Sequence, residues 1–318
     1  MKALITGVTG QDGSYLAEQL AADGHHVAGL LRGQRNPKRA WIETLVPGIT
    51  LIEGDLLDPS SLRTALERTQ PDVVYNLGAL TFVGMSWAQP TIMTEVTGVG
   101  CLRMLEAIRS VDPGIRFVQA STSEMYGQAA VAPQDETTPF HPRSPYGVAK
   151  LFAHYTTVNY RESYGMHAST AIMFNHESPR RGEEFVTRKV TAAAARIAQG
   201  NQAKLRLGNI ASRRDWGWAP DYMGALPLIA AAGEPDDYVL ATGITHSVRE
   251  LCAAAFNVAC LDYTDWVEID SALFRPADVD RLCGDASKAR TQLGWAPRMG
   301  FPDIVRTLVE HDLVAMAA

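Results

Sequence analysis

The stretch from Lys2 to Leu20 leaves few folds open to this chain. A short apolar run, Ala-Leu-Ile-Thr, ends at Gly7, and Gly7, Gly10 and Gly13 then recur as G-x-x-G-x-x-G. Tyr15, Leu16 and Leu20 follow at helical spacing. The pattern predicts a strand, a glycine-rich turn and a helix. Glycines let a backbone approach a pyrophosphate, and the helix N-terminus presents free N–H groups and the positive end of a dipole. A glycine triplet alone is compatible with a purely structural turn. Placed at the first strand–helix junction, it points to a bound dinucleotide.

The rest of the first half repeats the alternation. His26–Arg32, Ile49–Asp55, Asp72–Ala79, Ile115–Ala120 and His167–Asn175 read as strands, and Pro59–Thr69 and Gln89–Arg109 as helices. Strand–helix alternation predicts a doubly wound parallel sheet, with ligands outside the carboxyl ends of its strands. After Asn175 the texture becomes polar and basic, with Arg180, Arg181, Arg188 and Lys189 close together. A helix to about Gly200, a short strand in LRLGN, a basic aromatic run SRRDWGW and a helix over Asp221–Ala232 follow. Tyr238–Thr242 is a strand able to return to the main sheet. From His246 onward the chain reads as mostly helical, interrupted by a loop at Phe274-Arg275-Pro276. The expected fold is therefore α/β: a Rossmann-type sheet from 1–175 plus about 213–245. A smaller, mostly helical C-terminal substrate domain would take about 176–212 plus 246–318.

Composition excludes several function classes. A net charge of −6 offers no general field for nucleic acid. No apolar run approaches the roughly 18 residues of a membrane span, and a strand-like segment at the very start is unlike a signal peptide. The four cysteines, Cys101, Cys252, Cys260 and Cys283, are scattered without metal spacing, so reduced packing thiols and no metal are expected. His176 lacks neighbours at ligand spacing. These readings together predict a cytoplasmic protein with no nucleic-acid or membrane partner.

Chemistry concentrates between Ser121 and Lys150. Tyr146 and Lys150 are four residues apart in SPYGVAK, so a helix places them on one face. Ser144 and Pro145 supply an N-cap and an N1 proline for that helix. An ammonium beside a phenol favours the phenolate, which predicts a Tyr146 pKa below the ordinary ~10. Glu124, after the fifth strand, is a second acid/base candidate, with the Thr122 hydroxyl beside it. Where a binder of NAD carries a carboxylate after the second strand, this chain has Arg32, followed by Arg35, Lys38 and Arg39. A guanidinium pairs with a ribose 2′-phosphate, which favours NADP over NAD. Asp55 could touch an adenine edge or cap its own loop, and Gly78-Ala79 is small enough to let a cofactor pass.

Taken together, GVTGQDGSYL, STSEMYG, TPFHPRSPYGVAK, VNYRESYG, FNHESPRRG, FVTRK, RRDWG, ATGITHSVRE and RPADVD span nearly the whole chain. In them the sequence resembles the extended short-chain dehydrogenase/reductases, and within these the GDP-mannose 4,6-dehydratases. The resemblance implies a hydro-lyase. It would convert GDP-mannose to GDP-4-keto-6-deoxymannose by transient C4 oxidation, loss of water across C5 and C6, and reduction at C6. Tyr146 is implied as the redox acid/base, Lys150 as its tuner and a ligand of the nicotinamide ribose, Thr122 as a hydrogen-bond partner of the sugar 4-oxygen, and Glu124 as the C5 base. Gly7, Gly10, Gln11, Asp12, Gly13, Arg32, Asp55, Leu56, Leu77, Gly78, Ala79, Thr81, His176 and Arg181 are implied cofactor contacts. Ser123, Asn175, Lys189, Arg214, Arg275 and Asp278 would face the nucleotide sugar. Leu80 and Phe82 stand where the family carries Gln and His, and Asp278 where it carries Glu. A homodimer or homotetramer is also implied. Three other readings stay open on the residues: a dehydratase of a related sugar such as GDP-manno-heptose, an NADP-dependent nucleotide-sugar reductase or epimerase, and a non-catalytic NADP(H) sensor.

Overall fold

The computed structural model describes residues 1–33, 35–274 and 277–317. Six strands form in the order read from the sequence: β1 (Lys2–Thr6), β2 (His26–Leu31), β3 (Thr50–Glu53), β4 (Val73–Asn76), β5 (Arg116–Thr122) and β6 (Ala168–Met173). With Asp237–Leu240 they make one seven-stranded sheet. Its spatial order is Asp237–Leu240, β6, β5, β4, β1, β2, β3, and every pairing in it is parallel. The order reverses direction between β1 and β4. A crevice therefore opens at their carboxyl ends, where such sheets bind ligands.

Parallel strands covered on both faces read as near-continuous apolar runs, and successive side chains alternate between faces. Ala3 and Ile5 of β1, Val73 and Tyr75 of β4 and Val118 of β5 join one core with the helices Gln11–Ala22 and Ala219–Ala231. Leu4, Val74 and Phe117 join the opposite core with Pro59–Thr69, Gly100–Val111 and Pro145–Tyr164. The Pro145–Tyr164 helix begins as its sequence predicts. The Ser144 hydroxyl accepts the Gly147 N–H at 3.0 Å, and the helix ends at Gly165 in the left-handed conformation.

The segment read as one helix over Gln89–Arg109 differs. It is α-helical at Pro90–Met93, widens to a π-helical turn at Thr94–Val99, and is α-helical again from Gly100. Close approach explains why a glycine lies in that turn: a Cβ on Gly98 would lie 3.2 Å from the Ala149 carbonyl oxygen. In the same turn the Thr97 hydroxyl accepts the Leu80 N–H at 3.1 Å. That bond fixes the loop after β4 at the mouth of the crevice.

The second lobe is less helical than its sequence suggests. Arg213–Trp218 is a strand, paired with Asn175–Glu177 and Arg281–Leu282 in parallel and with Thr245–Ser247 antiparallel. Leu205–Leu207 pairs with Val267–Ile269. Strands of two or three residues carry too few positions for a period to show. Trp216 stacks on Phe301 within the core of this lobe.

That core also takes up Val186–Ala198, Val248–Val258 and Phe301–Ala317. An ion pair is buried inside it, with Arg188 Nη2 2.7 Å from Asp312 Oδ1 and both residues about 95% buried. Removing one partner strands the other's charge. Asp312→Ala is therefore expected to cost about 3–5 kcal/mol in chemical denaturation, whereas Arg306→Ala, at an exposed ion pair, should cost less than about 1 kcal/mol.

Among the described residues, no helix is long and apolar enough to cross a membrane, and no group of His, Cys, Asp or Glu could hold a metal. The four cysteines are free thiols.

Candidate active site

A cavity of about 620 Å³ opens at the carboxyl ends of the sheet and is closed on its far side by the second lobe. Thr122, Ser123 and Glu124 reach it from the end of β5, and Tyr146 and Lys150 from the first turns of the Pro145–Tyr164 helix. Asp12, Leu77, Thr81, Asn175, His176, Arg181, Lys189, Arg214 and Asp278 also line it. Local structure explains the placement of the acid/base groups. Thr122 ends a buried strand and caps a single 3₁₀ turn, its hydroxyl accepting the Glu124 N–H at 3.3 Å. The turn lifts Glu124 out of the sheet into the cavity, half-buried.

The expected depression of the Tyr146 phenol is not found. Burial dominates and pushes its pKa up, and the hydrogen bond with Thr122 only partly offsets this. Glu124 raises it further, Arg181 lowers it, and Lys150 is not among the groups acting on it most strongly. The Lys150 ammonium donates to the Ala120 carbonyl at 2.6 Å. Burial in turn pushes Lys150 down to about 8. Sequence spacing put the two groups on one face, but a charge acts through distance and dielectric, and burial outweighed it here.

The glycine turn is built for close approach. Gly7 has φ +70°, and a Cβ there would meet the Gly78 backbone at 2.9 Å. A Cβ on Gly13 would lie 2.3 Å from the Gly7 carbonyl, and the Gly10 N–H donates to that carbonyl at 2.9 Å. Gly7, Gly10, Gly13 and Gly78 therefore pack closely through their backbone, and they and Ala79 are not part of the cavity's side-chain lining. Leu56 is buried against Gly78 and Gly100. The Asp55 carboxylate accepts the Leu57 N–H at 2.9 Å, the loop-capping alternative. Arg32 is exposed just past β2.

Gln11 ties the turn to the loop after β6, donating to the His176 carbonyl at 3.2 Å and accepting the Ser178 hydroxyl at 2.8 Å. His176 Nδ1 lies 2.7 Å from the Phe174 carbonyl, and Nε2 lies 3.1 Å from the Asp12 carboxylate. Both neighbours are acceptors, so the doubly protonated ring suits the site. Burial opposes that charge, but Asp12 overrides it and raises the His176 pKa. Burial likewise opposes the Asp12 charge, and His176, with help from Arg181 and Gln11, carries its pKa well below the carboxylate range. The raised His176 contributes stability fully below its unfolded pKa of 6.5 and loses it as pH rises through the folded value. The lowered Asp12 contributes above its unfolded 3.8 and loses it as pH falls. Asp12→Asn is expected to cost about 2 kcal/mol near pH 6 and less near pH 8, measured by paired denaturant melts.

The basic run after β6 divides its work. Arg180 pairs with Glu18 and lies 3.8 Å over the Tyr15 ring, and Arg188 is the buried partner of Asp312. Only Arg181 and Lys189 of this run line the cavity. The Arg181 guanidinium carbon lies over the Phe185 ring, 3.6 Å from its centre, with Nε 3.5 Å from Glu177. Arg214 is held by the Val279 and Arg213 carbonyls at 2.8 and 2.9 Å and sits 3.9 Å from Asp278. The predicted contact at Arg275 lies outside the described residues.

Sequence reasoning missed Glu177, Phe185, Trp87 and Phe274, all of which line the cavity. Burial raises the Glu177 pKa, and Arg181 opposes this. Its position inside HESPRRG was the available signal. Phe82 also lines the cavity, edge-on to Phe185 at 5.8 Å. A ring where the resembled family has an imidazole makes that wall apolar.

A family model described as GDP-mannose 4,6 dehydratase matches residues 4–308. GDP-mannose 4,6 dehydratase 1 of Arabidopsis thaliana is 49% identical over 323 residues, covering 98% of this chain and 89% of that protein. GDP-mannose 4,6-dehydratase of Vibrio cholerae is 44% identical over 348 residues, covering 98% and 94%. Among solved structures, Thermus thermophilus UDP-glucose 4-epimerase in complex with NAD superposes with a TM-score of 0.83 at 30% identity, over 98% of this chain and 99% of that one. RMD from Pseudomonas aeruginosa complexed with NADPH gives 0.83 at 26% identity, over 99% of each chain.

Proposed function

The chain belongs to the GDP-mannose 4,6-dehydratase family, and from that premise we propose how its own residues divide the reaction. The protein is a hydro-lyase that converts GDP-mannose to GDP-4-keto-6-deoxymannose. The observation that carries the assignment is the meeting of Thr122, Glu124, Tyr146 and Lys150 in one cavity. A plain dehydrogenase needs one acid/base, whereas elimination needs a second with a different task.

Tyr146 takes the proton of the sugar 4-hydroxyl, and the Thr122 hydroxyl holds the 4-oxygen. The resulting 4-ketone acidifies the C5 hydrogen; Glu124 removes that proton and passes it to the 6-hydroxyl, which leaves as water, and the proton that Tyr146 took returns to C5 as C6 is reduced. A nicotinamide cofactor, when bound, accepts two electrons from C4 and returns them to C6. The turn of Gly7, Gly10 and Gly13 fits its pyrophosphate, because its close backbone packing admits no side chains and leaves bare backbone at a helix N-terminus. Gln11, Asp12, Leu77, Gly78, Ala79, Thr81, His176 and Arg181 would complete that side, with Asp55 and Leu56 below. Ser123, Asn175, Lys189, Arg214, Asp278 and Arg275 are assigned to the nucleotide sugar, two or more of these cations to its diphosphate. Incubation with GDP-mannose and NADP⁺ should give the 4-keto-6-deoxy product with no net cofactor reduction. No turnover of GDP-mannose would sink the substrate assignment.

NADP rather than NAD is proposed from Arg32, a cation where a carboxylate would repel a 2′-phosphate. Arg32→Ala is expected to weaken NADPH binding about tenfold while leaving NADH within about twofold, read by fluorescence titration. Equal losses for both cofactors would count against the assignment. The two-domain division given above, with the Arg213–Trp218 strand counted in the second lobe whose core holds Trp216, a cytoplasmic location and a homodimer or homotetramer belong to the same proposal. Val148, Phe152 and Tyr155 lie exposed along the Pro145–Tyr164 helix, which supports a covered face in an oligomer.

A further inference from the structure

One row of polar side chains crosses the core without reaching the cavity. Thr6, Asn76 and Gln119 are aligned on neighbouring strands, Thr6 opposite Asn76 and Asn76 opposite Gln119. By the alternation of the strands they share a face with Leu4, Val74 and Phe117, the face covered by the Pro145–Tyr164 helix. All three are at most 2% exposed, and none lines the cavity.

Their hydrogen bonds run in one direction. The Gly78 N–H donates to the Thr6 hydroxyl at 2.9 Å, and that hydroxyl donates to Asn76 Oδ1 at 2.7 Å. Asn76 Nδ2 donates to Gln119 Oε1 at 2.7 Å, and Gln119 Nε2 donates to the Ala120 carbonyl at 3.0 Å. The Lys150 ammonium donates to the same carbonyl at 2.6 Å. The sense of the chain is forced from its start. A backbone N–H can only donate, so Thr6 must accept there and donate onward, and each amide then has one workable orientation.

We propose that Thr6, Asn76 and Gln119 are positioning residues, a hydrogen-bonded row that locks Lys150 to the strand end facing the glycine turn. The Gly78 end of the row packs on Gly7, since a Cβ on Gly7 would meet Gly78 at 2.9 Å. One end of the row thus sets the cradle for the cofactor phosphates, and the other sets the ammonium assigned to its ribose. Apolar side chains would fill these positions without needing partners, so packing alone does not call for two amides and a hydroxyl. The inference rests on the reading of Lys150 given under the proposed function.

Gln119→Met removes the donor to Ala120 and the acceptor for Asn76 at nearly constant volume. The expected result is a kcat lowered about tenfold with the KM for GDP-mannose within about twofold. NADPH affinity, read by fluorescence without sugar, should fall about fivefold. Asn76→Leu with Gln119→Met removes both amides together and should recover thermal stability without recovering kcat or NADPH affinity. A double variant with wild-type stability, kcat and NADPH affinity would overturn the proposal and leave the row as packing. If the double variant does not fold, Gln119→Glu decides, because it keeps the acceptor for Asn76. A carboxylate beside the ammonium should move the pH midpoint of kcat upward by about half a unit or more, and an unmoved profile would overturn the proposal. Wild-type protein that binds NADPH but does not turn over GDP-mannose would sink the dehydratase reading instead, with the row still decided by NADPH affinity in the variants.

Discussion

Tyr146→Phe is expected to lower kcat by about a thousandfold while leaving the affinity for GDP-mannose within a few-fold. The ring is 7% exposed and packs in a small cluster with Met93 and Ala149. Losing only the hydroxyl therefore leaves the packing volume almost unchanged. What is lost is the acceptor of the 4-hydroxyl proton and the partner of Thr122. Because burial raises this phenol's pKa, Tyr146 has the proton rather than the phenolate as its resting form in the free protein. Rapid-mixing kinetics alongside equilibrium binding would check the split. A variant that bound GDP-mannose normally and kept a tenth or more of the rate would remove Tyr146 from the chemistry.

Glu124→Gln should be just as damaging to product formation, about a thousandfold, but it should stop the reaction at a different point. C4 oxidation does not need the carboxylate, so mixing the variant with GDP-mannose should still build up reduced-nicotinamide absorbance on the protein. Solvent deuterium should no longer enter C5. The carboxylate is half-buried on a single 3₁₀ turn, and among the described residues its removal breaks no hydrogen bond, since the turn is held by the Glu124 backbone N–H. Loss of activity without loss of melting temperature is therefore expected. Full product formation by the variant would mean that the reaction is not an elimination promoted by this residue. A reductase or epimerase would then be the better reading.

Much of this was legible in the chain itself. The three glycines, the apolar runs and Ser144-Pro145 each carry their structural meaning within a few residues, so the strand, the turn and the helix start fall where the sequence places them. The same holds for the meeting of Glu124 with Tyr146, because parallel sheets deliver every strand end to one edge. The short strands around Arg213–Trp218 were not legible. Three-residue elements have no period, and this strand buries Arg214 and Asp215, so its hydropathy resembles a loop. The fate of the basic residues was hidden as well. Arg180, Arg181, Arg188 and Lys189 look equivalent in sequence, yet Arg180 and Arg188 are engaged by Glu18 and Asp312, residues far away along the chain.

The sequence by itself determined the parallel sheet, the glycine turn, the placing of Thr122, Glu124, Tyr146 and Lys150 at one sheet edge, and the family. All of these rest on local conformational preference or on residue type at fixed spacing. Only the tertiary structure decided which cations face the cavity, which way the Tyr146 pKa moves, and that Thr6, Asn76 and Gln119 join into one row ending at Lys150. Those outcomes depend on burial and on distances between residues remote in the chain. Coulomb energy and desolvation are functions of three-dimensional position, and no spacing along one strand or helix contains them.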